Sequence, residues 1–127
     1  MKLVLLVALG GGLGSSARYM LGAWVLHHTV GWKFPAGTFL VNVLGCLIAG
    51  ILAGLAERYE LFSPEARVFL FVGILGGFTT FSAFGLETMF LLRRGEAWIA
   101  ALNVVASVTC GIVALWIGLK VVSLFSR

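Results

Sequence analysis

Between Gly76 and Phe84 the chain reads GGFTTFSAF. Phe81 and Phe84 are three apart and so share one helical face, with Ser82 beside them. The edge of a phenyl ring carries partial positive charge. Two ring edges and a hydroxyl can therefore face an anion without offering a fixed cation to hold it. The residues just before them, Gly76, Gly77, Thr79 and Thr80, are poor helix formers in the middle of a long apolar run. A helix that breaks at membrane mid-depth frees carbonyl groups that hydrocarbon cannot solvate. Discontinuous helices in transporters satisfy such carbonyls with a cation such as Na⁺, and a glycine-softened kink closed by the threonine hydroxyls is the plainer alternative. Three further residues stand out against their apolar surroundings: Arg18, Asn42 and Glu87.

The elements that must hold these residues follow from composition. The 127 residues are 61% hydrophobic and 11% charged, with 17 glycines. A soluble domain of this size needs far more charge on its surface, so lipid must be the solvent for most of the chain. A transmembrane helix needs about 20 mostly apolar residues. Four stretches qualify: Leu3 to Leu26, Pro35 to Ala56, Val68 to Leu92 and Ala97 to Leu124. The predicted architecture is thus all-α, one four-helix transmembrane domain over residues 1–127. Short connections leave no room for a soluble domain. In the second, Ser63 is placed to cap a helix whose first residue is Pro64, with Glu65 against the helix dipole.

Four spans put both termini on one side, with Lys2, Arg58, Arg67, Lys120 and Arg127. The other side carries Lys33, Arg93 and Arg94, and so weak a bias permits insertion in either orientation. Gly10 and Gly14, Gly50 and Gly54, and Gly73 and Gly77 are each four apart, the spacing that lets helices approach closely in lipid. A four-helix bundle is too thin to enclose a pore comfortably, which favours an oligomer.

Several function classes fall away. The net charge of +4 is spread singly between apolar runs, which fits membrane-edge anchoring and not nucleic-acid binding. Gly12 to Ala17 matches G-x-G-x-x-A, but no acid follows about 20 residues later, as dinucleotide binding requires, and the chain has no aspartate. Close helix packing explains these glycines better. Cys46 and Cys110 lie inside apolar runs, and His27 and His28 lack a third ligand nearby. The N-terminus imitates a signal peptide, yet the apolar pattern resumes at Tyr19. A charge inside a span is a functional candidate, and Arg18 reads equally as an interfacial anchor beside Tyr19 and Trp24. Asn42 is either an interhelical hydrogen-bonding group or a donor aimed at a passing ion. Asn103 and Ser107 share a face with the character of helix glue.

Taken in order, GGGLGSSARY in the first span, GTFLVNVLG in the second, GGFTTFSAF followed by Glu87 in the third and ALNVVASVTCG in the fourth resemble the CrcB/Fluc family of fluoride channels. The resemblance spans essentially the whole chain. It implies a broken third helix, an antiparallel dual-topology homodimer in the bacterial inner membrane, and passive export of cytoplasmic fluoride without enzymatic or nucleotide chemistry. It further implies a fluoride pore lined by Phe81, Phe84, Asn42, Thr38, Ser82 and Ser107. Arg18 and Glu87 would be vestibular or structural polar groups, and a structural Na⁺ would be held by the carbonyls of Gly76 and Thr79 in both copies. Where members commonly carry threonine this chain has Ala83, which removes one hydroxyl. A small multidrug-type proton-coupled exporter is the competing reading. Such exporters resemble one another in a first-span glutamate, whereas here the first span holds Arg18 and no acid.

Overall fold

The computed structural model describes residues 1–124, so the charge counted at Arg127 lies outside the described residues. The chain forms α1 (Lys2–His28), α2 (Ala36–Tyr59), α3 (Pro64–Arg67), a π-helical segment (Val68–Leu75), α4 (Gly76–Phe78), α5 (Phe81–Arg93) and α6 (Ala97–Leu124). Four stretches are long and apolar enough to cross a membrane: Lys2–His28, Ala36–Tyr59, Pro64–Arg93 and Ala97–Leu124. Three overrun the predicted apolar stretches by a turn or less, because a helix continues into the polar interface until its end groups find partners. The left-handed conformation of Glu60 ends α2. Ser63 caps α3 as predicted, accepting from Ala66 N at 3.2 Å with Pro64 in the first turn.

The helices meet backbone to backbone. Of each span's most apolar stretch, only 11–28% is buried within the chain, so large side chains cannot supply most of the packing. Glycine supplies it instead. A Cβ on Gly14 would lie 2.1 Å from Ile74 O, and one on Gly77 would lie 2.5 Å from Gly11 O. Along the second seam, a Cβ on Gly50 would lie 2.1 Å from Leu115 O, and one on Gly118 would lie 2.5 Å from Leu47 O. The first seam joins α1 to the π segment and α4; the second joins α2 to α6. All six glycines predicted to pack lie on these seams, five against main chain and Gly54 against the Val122 side chain. Gly12, by contrast, has open space around it.

The third span changes partners along its length. Its first half packs on α1, whereas α5 packs on α6. The π segment widens the helix ahead of this change: Gly76 N reaches back five residues to Phe71 O. Such turns are rare and concentrate at functional sites. At the change itself, Thr79 and Thr80 are extended, with φ/ψ of −81/155° and −151/119°.

Gly14→Ala should destabilise the chain by about 1–3 kcal/mol, because its methyl group meets a main-chain oxygen that cannot step aside. Gly12→Ala should be neutral or stabilising, since alanine favours helix by about 1 kcal/mol and nothing obstructs it. Thermal unfolding midpoints of both variants in one detergent will separate them.

Candidate functional site

Two adjacent extended residues in the middle of a span expose main-chain groups that hydrocarbon cannot satisfy. The chain answers several of these needs locally. Asn42, on α2, donates from Nδ2 to Thr80 O at 3.0 Å and accepts from Thr80 N at Oδ1 at 2.8 Å. Its amide thus takes the place of a neighbouring peptide group. Thr79 donates to Leu75 O through both its N–H and its hydroxyl, each at 2.9 Å. Thr80 Oγ1 accepts from Ala83 N at 3.3 Å, capping α5, and lies 3.3 Å from Ser82 Oγ. The Thr79 methyl rests where a side chain on Gly45 would stand: a Cβ there would be 2.2 Å from Thr79 Cγ2.

Because α5 starts at Phe81, the two phenylalanines fall in its first turn. Their ring centroids are 5.5 Å apart, at 45°. Phe84 is half-buried, while Phe81 is 83% exposed, so one face of its ring has no wall within this chain. Both rings line a cleft of about 270 Å³ with Asn42, Thr79, Thr80 and Ser107. Ser107 Oγ is 3.4 Å from Asn103 Oδ1, a long bond for a hydroxyl. Asn103 is fully buried and donates to Thr88 Oγ1 at 2.9 Å, and Thr88 in turn donates to Phe84 O at 2.8 Å. A polar relay therefore ties α6 to the backbone of the phenylalanine turn. The sequence pattern does not single out Thr88. Its one signal is a hydroxyl four residues after Phe84, the spacing for a bond back to the helix carbonyl.

Thr80 also lines a second cleft, of about 360 Å³, with Arg18, Lys33, Thr38 and Glu87. Thr38 donates to Glu87 Oε1 at 2.7 Å. The other carboxylate oxygen, Oε2, is buried and has no hydrogen-bond partner among the described residues. The predicted residues are thus brought together around one element, with Phe81, Phe84, Asn42, Thr79 and Ser107 in one cleft and Arg18, Thr38 and Glu87 in the other. Ser82 and Gly76 are exposed and line neither. Lys33 was no site candidate on sequence; its place beside Arg18 and Glu87 depends on how the first connection folds back.

Fold and site together define a four-span helical membrane protein with apolar and basic clefts meeting at one residue. Residues 5–119 match the family described as "CrcB-like protein, Camphor Resistance (CrcB)", and the chain belongs to that family. It is 53% identical over 121 residues to a fluoride-specific ion channel FluC of Methylobacillus flagellatus, covering 95% of this chain and 94% of that one. The protein of the same name from Hyphomonas neptunium is 52% identical over 117 residues, covering 91% of each chain. That of Solibacter usitatus is 50% identical over 115 residues, covering 90% of this chain and 93% of the other. The chain is accordingly a multi-pass membrane protein of a bacterial family.

Asn42→Ala should leave Thr80 N–H and C=O without partners, at a cost of about 1–3 kcal/mol for each group. Hydrogen–deuterium exchange should then speed up at residues 79–83 while the α2–α6 seam stays protected. Unchanged exchange would show that the amide does not hold the extended pair.

Proposed function

We propose that the chain is a fluoride-selective passive ion channel, not an enzyme, working as an antiparallel homodimer. One observation carries this reading: the Phe81–Phe84 pair, anchored by the Asn42–Thr80 bonds, lines a cleft with hydroxyl and amide donors but no charged side chain. The fluoride channels to which the chain is similar give the ion its identity. The exposed face of Phe81 supports the dimer reading, since a second copy would supply the wall this chain lacks.

Moving a small anion from water into a low-dielectric medium carries an idealised cost on the order of 20 kcal/mol. A hydrogen bond to a charged group returns roughly 1.5–3 kcal/mol. Several weak donors must therefore act in succession. Asn42 Nδ2 spends one hydrogen on Thr80 O and has a second. The Ser107 hydroxyl makes only a 3.4 Å bond to Asn103, so turning it toward an ion costs little. Ser82, outside both clefts of a single chain, adds a hydroxyl beside Thr80, Thr38 borders the route with its hydrogen kept on Glu87, and the ring edges of Phe81 and Phe84 add attraction weak enough to permit release. Arg18 supplies positive potential at the basic cleft, and Glu87, held by Thr38, borders the same path.

The family also implies a structural Na⁺. The donors fit: the carbonyls of Gly76 and Thr79 are hard, neutral oxygens at the point where α4 gives way to extended chain. One chain contributes too few to complete a shell, which again calls for two copies. Among the described residues no group of three His, Cys, Asp or Glu side chains could hold a metal, so main-chain oxygen is the available ligand. Bound there, the ion would tie the two helix breaks together.

Export follows from acid–base chemistry. Neutral hydrogen fluoride crosses a bilayer and ionises in the less acidic cytoplasm. A passive pathway then lets the anion leave down an inside-negative potential, and no coupling site is needed. A proton-coupled exporter draws no support from a first span whose only membrane charge is Arg18.

Reconstituted into liposomes, the chain should release fluoride and retain chloride and lipophilic cations. Phe81→Ile should abolish most fluoride release, and a variant that conducts like the parent would remove Phe81 from the pathway.

A further inference from the structure

Lys33 and Glu96 lie 63 residues apart in sequence, yet their side chains form an ion pair. Lys33 belongs to the connection between α1 and α2. Glu96 sits immediately before α6, fixed by its N–H on Leu91 O at 2.9 Å and by Ala100 N on its own carbonyl at 3.0 Å. A carboxylate at that end of a 28-residue helix is favoured by the helix dipole, so Glu96 is a stable anionic post. The pair is partly solvated, at 64% and 30% side-chain exposure. As a contribution to stability it is therefore minor.

Its location gives it another consequence. Lys33 lines the basic cleft that holds Arg18 and Glu87, and also a smaller one, of about 130 Å³, that holds Glu87 and Arg94. The charges facing this region are thus Arg18, Lys33 and Arg94 against Glu87, with Glu96 opposing Lys33 from the α6 end. Without Glu96, three cations would face one carboxylate that is already bonded to Thr38. With it, the excess of positive charge falls by one. A cleft lined by one sign of charge concentrates the opposite ion, so this difference acts directly on how often an anion enters.

We infer that Lys33 and Glu96 form a charge-balanced pair that sets the electrostatic potential at the mouth of the basic cleft, and with it the rate at which anions enter. The inference rests on the channel reading above. The pair is not a binding site for the ion. It adjusts the field through which the ion approaches, from a position wet enough for salt to screen it.

Single-channel fluoride currents of the full-length protein in planar bilayers test this as a charge cycle. Fluoride is held constant while an impermeant salt sets the ionic strength. At about 10 mM, where the screening length is about 30 Å, Glu96→Gln should raise the current about twofold and Lys33→Gln should lower it about twofold, the effect of one unit charge about 10 Å from the path in water. The double variant restores the net charge and should return close to the parent. At roughly 1 M, where screening acts within about 3 Å, the four proteins should converge. Single variants that both shift the current the same way, with no recovery in the double, would identify a mechanical strap and overturn the inference. So would currents equal to the parent at low salt, or differences that persist at high salt. Each variant is first required to elute as the parent does. Absence of fluoride current in the unmodified protein would instead overturn the channel reading itself.

Discussion

A membrane interior gives main-chain polar groups nothing to bond to, and the two bonds between Asn42 and Thr80 answer that constraint at the one place where the third span leaves helical geometry. An amide side chain offers a donor and an acceptor about as far apart as those of a peptide unit, so a single residue on α2 can satisfy both main-chain groups of another residue. Further bonds lie nearby: the Thr79 hydroxyl donates to Leu75 O, and the Thr80 hydroxyl caps α5. Because α5 begins with its own cap, its direction is not inherited from α4. That independence lets the third span pack first on α1 and then on α6, and it puts Phe81 and Phe84 at the point of change.

Close approach at the glycine seams keeps this arrangement in place. In lipid there is no hydrophobic gain in bringing two apolar helices together, so contact has to come from fit and from polar bonds. The α1 seam fixes the π segment and α4 on one side of the extended pair, through Gly14 and Gly77. The α2–α6 seam fixes the two helices that carry Asn42, Asn103 and Ser107. Thr79 itself is pressed against Gly45, where no side chain would fit. The extended pair is held by three helices, and that is how a short irregular stretch keeps a defined shape at this depth.

The spans, the Ser63 cap and the packing glycines were legible because each rests on a local rule: hydropathy over about 20 residues, a capping residue before proline, or a four-residue spacing. Asn42 was legible only as a buried amide. Whether such a group serves the backbone or an ion depends on what lies opposite it, 38 residues away, and no spacing within α2 carries that information. The π segment, VFLFVGIL, reads as uniform apolar sequence, since one widened turn leaves no mark on hydropathy. Thr88 and the Lys33–Glu96 pair were hidden for a related reason, as their meaning lies in contacts between helices or between connections far apart in the chain.

On the channel reading, the distribution of charge follows from the same electrostatics that governs the backbone. A fixed cation beside the phenylalanines would act at low dielectric, where attraction to a small anion is several times stronger than in water, and it would hold the ion as firmly as it drew it in. That cleft is lined instead by ring edges, hydroxyls and an amide. The cations stand in the other cleft, where Arg18 and Lys33 share the walls with Glu87. There water weakens each charge enough to attract without capture. The two clefts meet at Thr80, whose own main-chain groups are already committed to Asn42. An ion passing that point meets a Thr80 N–H that is already donated, so this residue adds no free donor to hold it. The bonds that make the extended pair stable in lipid are in this sense the same ones that keep the junction of the two clefts permissive.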